Sequence, residues 1–303
     1  MIDFQPMQLE NREHYETLLR SCGERGCEYS FVNLYLWGRQ KAALLGETLV
    51  FFSQFNRKSV YMFPVGTGDK KQALDAVMAD ARERGISCRL VGLTQADRDA
   101  LETLYPGKWQ YHFDRDTFDY VYDIDDLADL KGRKFQKKRN HLNRFREQNP
   151  GYRLEPITRE TLSQVEALVQ QWYQLRLEEN PHGDYQMEQV ALKKALRNWD
   201  ALALEGLLLR TEQGVVAIAI GSRLSEDTFD VHFEKALDIA DGAYAAINNG
   251  FAGYLREKYP QIRFLNREED MGLEGLRRAK LSYCPHHMVE ESWAHLLEDG
   301  YDY

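Results

Sequence analysis

Between residues 201 and 236 three apolar runs follow one another, ALALEGLLLR, VVAIAIGSRL and TFDVHFEKA, with only TEQG and SEDT between them. Turns this short join neighbouring strands, so this stretch must form a sheet whose strands lie side by side in chain order. The sheet has apolar residues to cover, and helical patterns flank it on both sides. Upstream come a strand (YRLEPI), a long helix capped by Thr158 (RETLSQVEALVQQWYQLRLEEN) and a second helix (MEQVALKKALRNW). Downstream come a helix (GAYAAINNGFAGYLREKY), a strand (IRFLN), a helix (LEGLRRAKLS) and a last strand (HHMVEESW). The order from Tyr152 onward is β-α-α-β-β-β-α-β-α-β.

A looser version of that order precedes it. From Phe4 the patterns read as a strand (FQPMQL), a helix (REHYETLLR), a short apolar helix (FVNLYLW), and two strands (AALLGETLVFF, SVYMFPV) split by an NRKS turn. A helix of period near 3.6 (KKQALDAVMADARER) then stops at Gly85. After it come a strand (CRLVGL), a helix capped by Thr94 (QADRDALETLY) and a strand ending in YVYDI. Two similar orders in one chain of 303 residues suggest an internal structural duplication, although no residue-level repeat accompanies it. The fold class expected is therefore α/β with mixed sheets, in two tandem domains: 1–125, a connecting helix at 126–150, and 151–303. The second half has the element order of the GNAT acyltransferase fold, an analogy that concerns topology and leaves the chemistry open.

Charge is unevenly placed. The whole chain has a formal net charge of -9, yet KGRKFQKKRNHLNRFR, from Lys131 to Arg146, holds eight Lys or Arg residues in sixteen positions and no acid. The remainder carries 31 basic residues against 48 acidic ones, so the basicity is local, which argues against a protein that coats nucleic acid generally. On a helical wheel Phe135, Leu142 and Phe145 form one stripe, and Lys134, Lys137, His141 and Arg144 a neighbouring face. Such a helix is expected to dock by its stripe between the two halves and to present cations to a polyanion, the alternative being a solvated face. The N-terminus MIDFQPMQLENREHYE lacks a signal-peptide pattern, and no apolar run nears the roughly 18 to 20 residues that span a bilayer. A soluble, cytoplasmic protein is expected. Cys22, Cys27, Cys88 and Cys284 lack metal-ligand or disulfide spacing, so free thiols and no metal site are expected.

Three places carry titratable groups in patterns suited to chemistry. In TFDVHFEKA, strand alternation puts Asp230, His232 and Glu234 on one side, where His232 or Glu234 is able to act as a general base. A solvated strand face is the rival reading. In ALDIADGAYAAINNGF, Gly242, Ala243 and Tyr244 open a helix whose free N–H groups suit an anion, although the run lacks the basic residue and first glycine of a coenzyme A cradle. Helix capping by Asp241 and Gly242 explains the same residues. In FLNREEDMGLEGLRRAKLSYCP a strand runs into a charged turn. There Asn266, Glu269 or Asp270 is able to orient an amine, while Arg277, Lys280 and Tyr283 hold an anion. A surface loop closing its own ion pairs is the alternative.

Together YVYDIDDLADLKGRKFQKKRNHLNRF, HFEKALDIADGAYAAINNGFA and FLNREEDMGLEGLRRAKLSYCP, with CEYSFVNLYLW near the start, resemble a bacterial family related to the C-terminal domain of phosphatidylglycerol lysyltransferases. The resemblance implies a tandem GNAT fold, shared more distantly with Fem-type peptidyltransferases that use aminoacyl-tRNA. It implies that Lys134, Lys137, Lys138 and Arg139 meet aminoacyl-tRNA or an anionic acceptor through salt-sensitive phosphate contacts. It also places Arg267 and the NREED-to-LRRAK region along the aminoacyl and acceptor cleft. The lipid lysyltransferases carry a large membrane-spanning part that this sequence does not show, so any contact with an anionic lipid surface is expected to be peripheral. The expected activity is aminoacyl or acyl transfer to an amine or hydroxyl. Two alternatives stand beside it: an acyl-CoA-dependent N-acyltransferase, and a non-catalytic module that binds tRNA or an anionic surface.

Overall fold

The computed structural model describes residues 1–55, 58–181, 183 and 185–297, and folds as two compact units. The NRKS turn expected at 56–59 falls partly outside the described residues. In chain order the elements are β1 (Gln5–Pro6), α1 (Arg12–Arg20), α2 (Phe31–Trp37), β2 (Gln40–Leu45), β3 (Thr48–Phe55), β4 (Lys58–Gly66), α3 (Lys70–Arg84), β5 (Arg89–Leu93), α4 (Gln95–Leu104) and β6 (Trp109–Phe113). There follow β7 (Asp119–Asp123), α5 (Ile124–Asp129), α6 (Gln136–Gln148), β8 (Arg153–Pro156), α7 (Leu162–Glu179), α8 (Gln186–Arg197), β9 (Glu205–Thr211), β10 (Gly214–Arg223) and β11 (Thr228–Ala236). The chain ends with α9 (Ala243–Lys258), β12 (Phe264–Asn266), α10 (Glu274–Leu281), β13 (His287–Val289) and β14 (Ser292–Leu296). Among the described residues no helix is long and apolar enough to cross a membrane.

Local signals start and stop these helices where they should. The Asp69 side chain accepts the Gln72 N–H at 3.0 Å and opens α3, which closes on Gly85 at φ +68. Thr94 and Asp97 form a reciprocal capping box on α4.

Each unit is built on a seven-stranded mixed sheet. The first runs β1-β2-β3-β4-β5-β14-β6 and the second β8-β9-β10-β11-β12-β7-β13. Read in this direction the two match strand for strand. An antiparallel set (β2-β3-β4, β9-β10-β11) is followed by a parallel neighbour (β5, β12). Next to that lies an antiparallel strand from a distant part of the chain: β14 beside β5, and β7 beside β12. The duplication expected from element order is thus present in the sheets.

The linear division at 125 and 150 does not describe these units. The first comprises residues 1–119, 269–273 and 288–303, and the second 120–268 and 274–287. The YVYDI strand assigned to the first half lies in the second sheet, with Tyr120, Val121 and Tyr122 fully buried. HHMVEESW splits into β13 and β14, and β14 pairs with both β5 and β6 in the first sheet. There Ala294 and Leu296 join a core that includes Tyr61, Phe63, Leu74, Val77, Leu90 and Leu101. A central strand must satisfy the backbone groups of two neighbours, and proximity in sequence does not say which two.

Candidate functional site

The expected row of Asp230, His232 and Glu234 is broken by a β-bulge. Phe233 pairs with Ile220 but Val231 pairs with Gly221, so His232 is an extra residue opposite β10. The bulge shifts the alternation by one. Asp230 and His232 stay on the face that carries Ser222, whereas Glu234 turns to the face covered by α9, where Asn248 Nδ2 donates to it at 3.0 Å. Phe229, on that same face by the register, packs edge-on against Phe251 of α9. β12 accompanies β11 only from Thr228 to Asp230, while β10 follows it to Ala236. Past Asp230, then, β11 has a strand neighbour on one side only among the described residues. The backbone groups on its other side there are left without a strand to pair with.

On the α9 face, Arg267, which leaves the end of β12, donates through Nη2 to Glu234 at 3.0 Å. Its guanidinium carbon stands 4.9 Å from the Tyr283 ring centre and 5.5 Å from that of Tyr122. Lys138 of α6 completes the group, with Nζ 3.7 Å above the same Tyr283 ring. Four residues from four segments, Lys138, Glu234, Arg267 and Tyr283, therefore form one cluster in the second unit. Among the described residues, two buried polar atoms here have no hydrogen-bond partner, Arg267 Nη1 and Asn248 Oδ1. An unsatisfied donor and acceptor at this depth are costly unless a ligand uses them. Burial, reinforced by the Arg267 charge, pushes the Lys138 ammonium down to about 8, so the amine is partly neutral near physiological pH. Burial pushes Tyr122 and Tyr283 upward, which keeps both as neutral hydroxyls.

The opposite face holds a chain of hydrogen bonds. Ser222 Oγ and His232 Nε2 lie 2.8 Å apart, His232 Nδ1 is 3.1 Å from Glu268 Oε1, and Asp230 Oδ2 is 3.5 Å from the same nitrogen. Ser222, Asp230 and His232 are buried, and only Glu268 reaches partly toward solvent. The solvated strand face considered from the sequence is therefore excluded. Glu268 has a left-handed backbone, φ +58, held by its N–H donating to Asn266 Oδ1 at 2.7 Å and by Lys280 Nζ donating to its carbonyl at 3.0 Å. Lys280 thus fixes the turn after β12, through the Arg267 and Glu268 carbonyls, and its ammonium is engaged there.

The other candidate residues are distributed as follows. Glu269 and Asp270 belong to the first unit, and His232 and Glu234 to the second. Glu269 Oε2 lies 3.5 Å from Cys27 Sγ, and Asp270 Oδ1 accepts the Gly272 N–H at 2.9 Å. Arg277 is half-buried on α10. In the basic helix the stripe of Phe135, Leu142 and Phe145 is buried, and α6 packs on α9 within the second unit. Its cations are partly used locally: Lys134 pairs with Asp126 at 2.6 Å, Arg139 donates to the Leu130 and Gly132 carbonyls, and Arg144 pairs with Asp241 at 2.7 Å. Lys137 and His141 are exposed.

The start of α9 is closed. Gly242 has φ +83, a Cβ there would lie 2.5 Å from the His141 carbonyl oxygen, and the Ala243 N–H already donates to Ala240. Of the free N–H groups expected at Gly242, Ala243 and Tyr244, that of Ala243 is thus already taken. The buried Ser222, Asn248 and Glu268 were not singled out from the sequence. Asn248 left one signal, a polar residue on the apolar stripe of a helix, whereas Ser222 is recognisable only from its register with Asp230.

Comparison with known proteins fits this architecture. A crystal structure of a conserved protein of unknown function from Bacteroides thetaiotaomicron is 37% identical, with a TM-score of 0.92 over 98% of this chain and 100% of that one. The structure of L-PGS from Bacillus licheniformis matches at TM-score 0.69 with 16% identity, over 97% of this chain and 94% of the other, and so shares the fold. An uncharacterized protein of Mycoplasmoides gallisepticum is 28% identical over 175 residues, which is 56% of this chain and spans 54% of that relative's length. The model of the family described as phosphatidylglycerol lysyltransferase, C-terminal, matches residues 19–295. With its two mixed α/β sheets in tandem GNAT-like order, the chain belongs to the phosphatidylglycerol lysyltransferase C-terminal family.

Proposed function

We propose that the chain is an aminoacyl transferase, moving an aminoacyl group from an activated ester onto an amine or hydroxyl acceptor. The donor that the family resemblance suggests is aminoacyl-tRNA. The observation that carries the reading is the cluster beside the singly paired stretch of β11, where Arg267 Nη1 has no hydrogen-bond partner among the described residues and Lys138 has its pKa lowered to about 8. Ester transfer needs two things of a protein: a base for the acceptor's proton, and a donor for the oxyanion that forms on the ester carbonyl. Neutral Lys138 takes the proton as the acceptor attacks the carbonyl carbon. Arg267 Nη1 donates to the oxyanion, and the lysine's proton passes to the departing ribose oxygen as the intermediate collapses. Glu234 holds the guanidinium in place, and Asn248 Oδ1 beside it is an acceptor suited to the amine of the aminoacyl group. Transfer from acyl-CoA is disfavoured by the closed start of α9.

The test is transfer of labelled amino acids from a mixed aminoacyl-tRNA pool to phosphatidylglycerol vesicles or to small amines, with acetyl-CoA as a parallel donor. We expect label transfer from tRNA whose rate climbs with pH to about 8 and then levels, as Lys138 loses its proton. Arg267→Lys lowers it on the order of 10²-fold, the usual effect of losing one oxyanion donor. Acetyl transfer without use of aminoacyl-tRNA overturns the proposal, and so does salt-sensitive tRNA binding with no transfer to any acceptor.

A further inference from the structure

Where β12 stops pairing with β11, two side-chain bridges take over from the backbone ladder. The last ladder pair is Asp230 with Asn266. Beyond it, Arg267 Nη2 donates to Glu234 at 3.0 Å on the α9 face, and Glu268 Oε1 lies 3.1 Å from His232 Nδ1 on the face that carries Ser222. Arg267 and Glu268, adjacent in sequence, therefore hold β11 from opposite faces. The transfer chemistry uses the first bridge and leaves the second without a role. That second bridge is fixed at both ends. A carboxylate only accepts, so His232 Nδ1 carries the proton that goes to Glu268, and in the neutral imidazole Nε2 accepts the Ser222 hydroxyl at 2.8 Å. The ring is thereby set in one tautomer and one orientation. Asp230 Oδ2 stands farther from the same Nδ1, at 3.5 Å. At the other end the Glu268 N–H donates to Asn266 Oδ1 at 2.7 Å, the Tyr120 N–H to the Glu268 carbonyl at 3.2 Å, and the Arg267 N–H to the Tyr120 carbonyl at 2.9 Å. A left-handed backbone at a residue other than glycine persists only where its surroundings over-determine it, and these bonds hold Glu268 at φ +58.

We propose that Glu268, with His232 and Ser222 behind it, positions Arg267: the bridge to His232 sets how far the end of β12 stands from β11, and with it where the guanidinium meets the reacting ester. The chemical consequence rests on the transferase reading, whereas the positioning itself is a matter of geometry. The bond to Glu234 fixes only the tip of a long, flexible side chain. Its root is fixed by the peptide that Glu268 holds in place. An oxyanion donor acts only within hydrogen-bond reach of the atom on which charge develops. A displacement of about 1 Å costs on the order of 10²-fold in rate. Ser222 and His232 are buried, so water competes little for the bridge, and Ser222 enters the device by keeping the imidazole oriented. None of the three touches the ester in this scheme; each acts through Arg267.

The experiment compares variants of the full chain. Glu268→Gly removes the bridge and is expected to fold, since glycine takes φ +58 without steric cost. In the labelled transfer assay it is expected to lower kcat on the order of 10²-fold, with KM for aminoacyl-tRNA unchanged. In an Arg267→Met background the same substitution is expected to cost less than about 3-fold, because a residue that acts through another has little effect once that other is gone. His232→Asn places its amide nitrogen where Nδ1 stands, so it is expected to keep the bridge and most of the rate. His232→Gln reaches Ser222 but not Glu268, and is expected to behave like Glu268→Gly. Losses that multiply in the double variant, or equal losses from His232→Asn and His232→Gln, overturn the proposal. A readout independent of catalysis is the Nε–H magnetic resonance signal of Arg267, identified by its loss in Arg267→Met. It is expected to shift in Glu268→Gly and to stay in place in His232→Asn. A signal unmoved in Glu268→Gly overturns the positioning role whether or not the parent transfers anything. A shifted signal in a protein that transfers no aminoacyl group supports the positioning role and overturns the transferase reading alone.

Discussion

Lys138 concentrates an electrostatic penalty in a single side chain. It is half-buried, it rests on an aromatic ring, and its proton affinity falls from the ordinary lysine value of 10.5 to about 8. Between those values the unfolded chain holds a proton that the folded one has released, so stability rises with pH across that window. Below about pH 8 both states are protonated and the residue is at its least favourable. Lys138→Met is therefore expected to unfold at higher urea than the parent at pH 7, with the gain shrinking as pH approaches 10.5. Paired urea titrations at several pH values check this, and a gain that grows with pH contradicts the burial argument. The basic run from Lys131 to Arg146 was plain in the sequence, but the inward turn of Lys138 was not. Its neighbours Lys134 and Arg139 found partners within their own segment, and a charge count does not distinguish these fates.

At the level of elements, the helix pair α6 and α9 shows which patterns survive the passage from sequence to fold. The stripe of Phe135, Leu142 and Phe145 was legible because side chains at helical spacing share a face in any context. Phe145 is fully buried and meets Tyr152 edge-on with ring centres 5.3 Å apart. Phe145→Ala is expected to cost about 3 to 5 kcal/mol in urea unfolding, whereas Lys137→Ala on the exposed face should stay within about 0.5 kcal/mol. Similar losses from the two substitutions would mean that α6 is not seated by its apolar stripe. The bulge in β11 is the contrary case. One extra residue at His232 leaves no mark in composition, yet it sends Glu234 to α9 and keeps Asp230 and His232 with Ser222. Simple alternation therefore identified the polar residues of the candidate site and misplaced one of the three.

For the whole molecule, the controlling fact is that each sheet takes in a strand from a remote part of the chain. A chain truncated after His287 loses β14, which separates β5 from β6 in the first sheet. Hydrogen exchange is expected to show lost protection at Arg89–Leu93 and Trp109–Phe113, with Glu205–Thr211 and Gly214–Arg223 remaining protected. The opposite pattern would place β14 in the second unit's stability. By itself the sequence determined the elements, their order, the duplicated plan and the apolar faces, since all of these follow from local periodicity and turn chemistry. Only the tertiary structure decided that β7 and β14 pair far from their chain neighbours, and that Lys138, Glu234, Arg267 and Tyr283 share one cluster. It likewise decided that Cys27, Glu28 and Asp119 come together in the first unit. Backbone hydrogen bonding and burial act through space on residues the chain keeps far apart, and no local pattern records which distant partner will satisfy them.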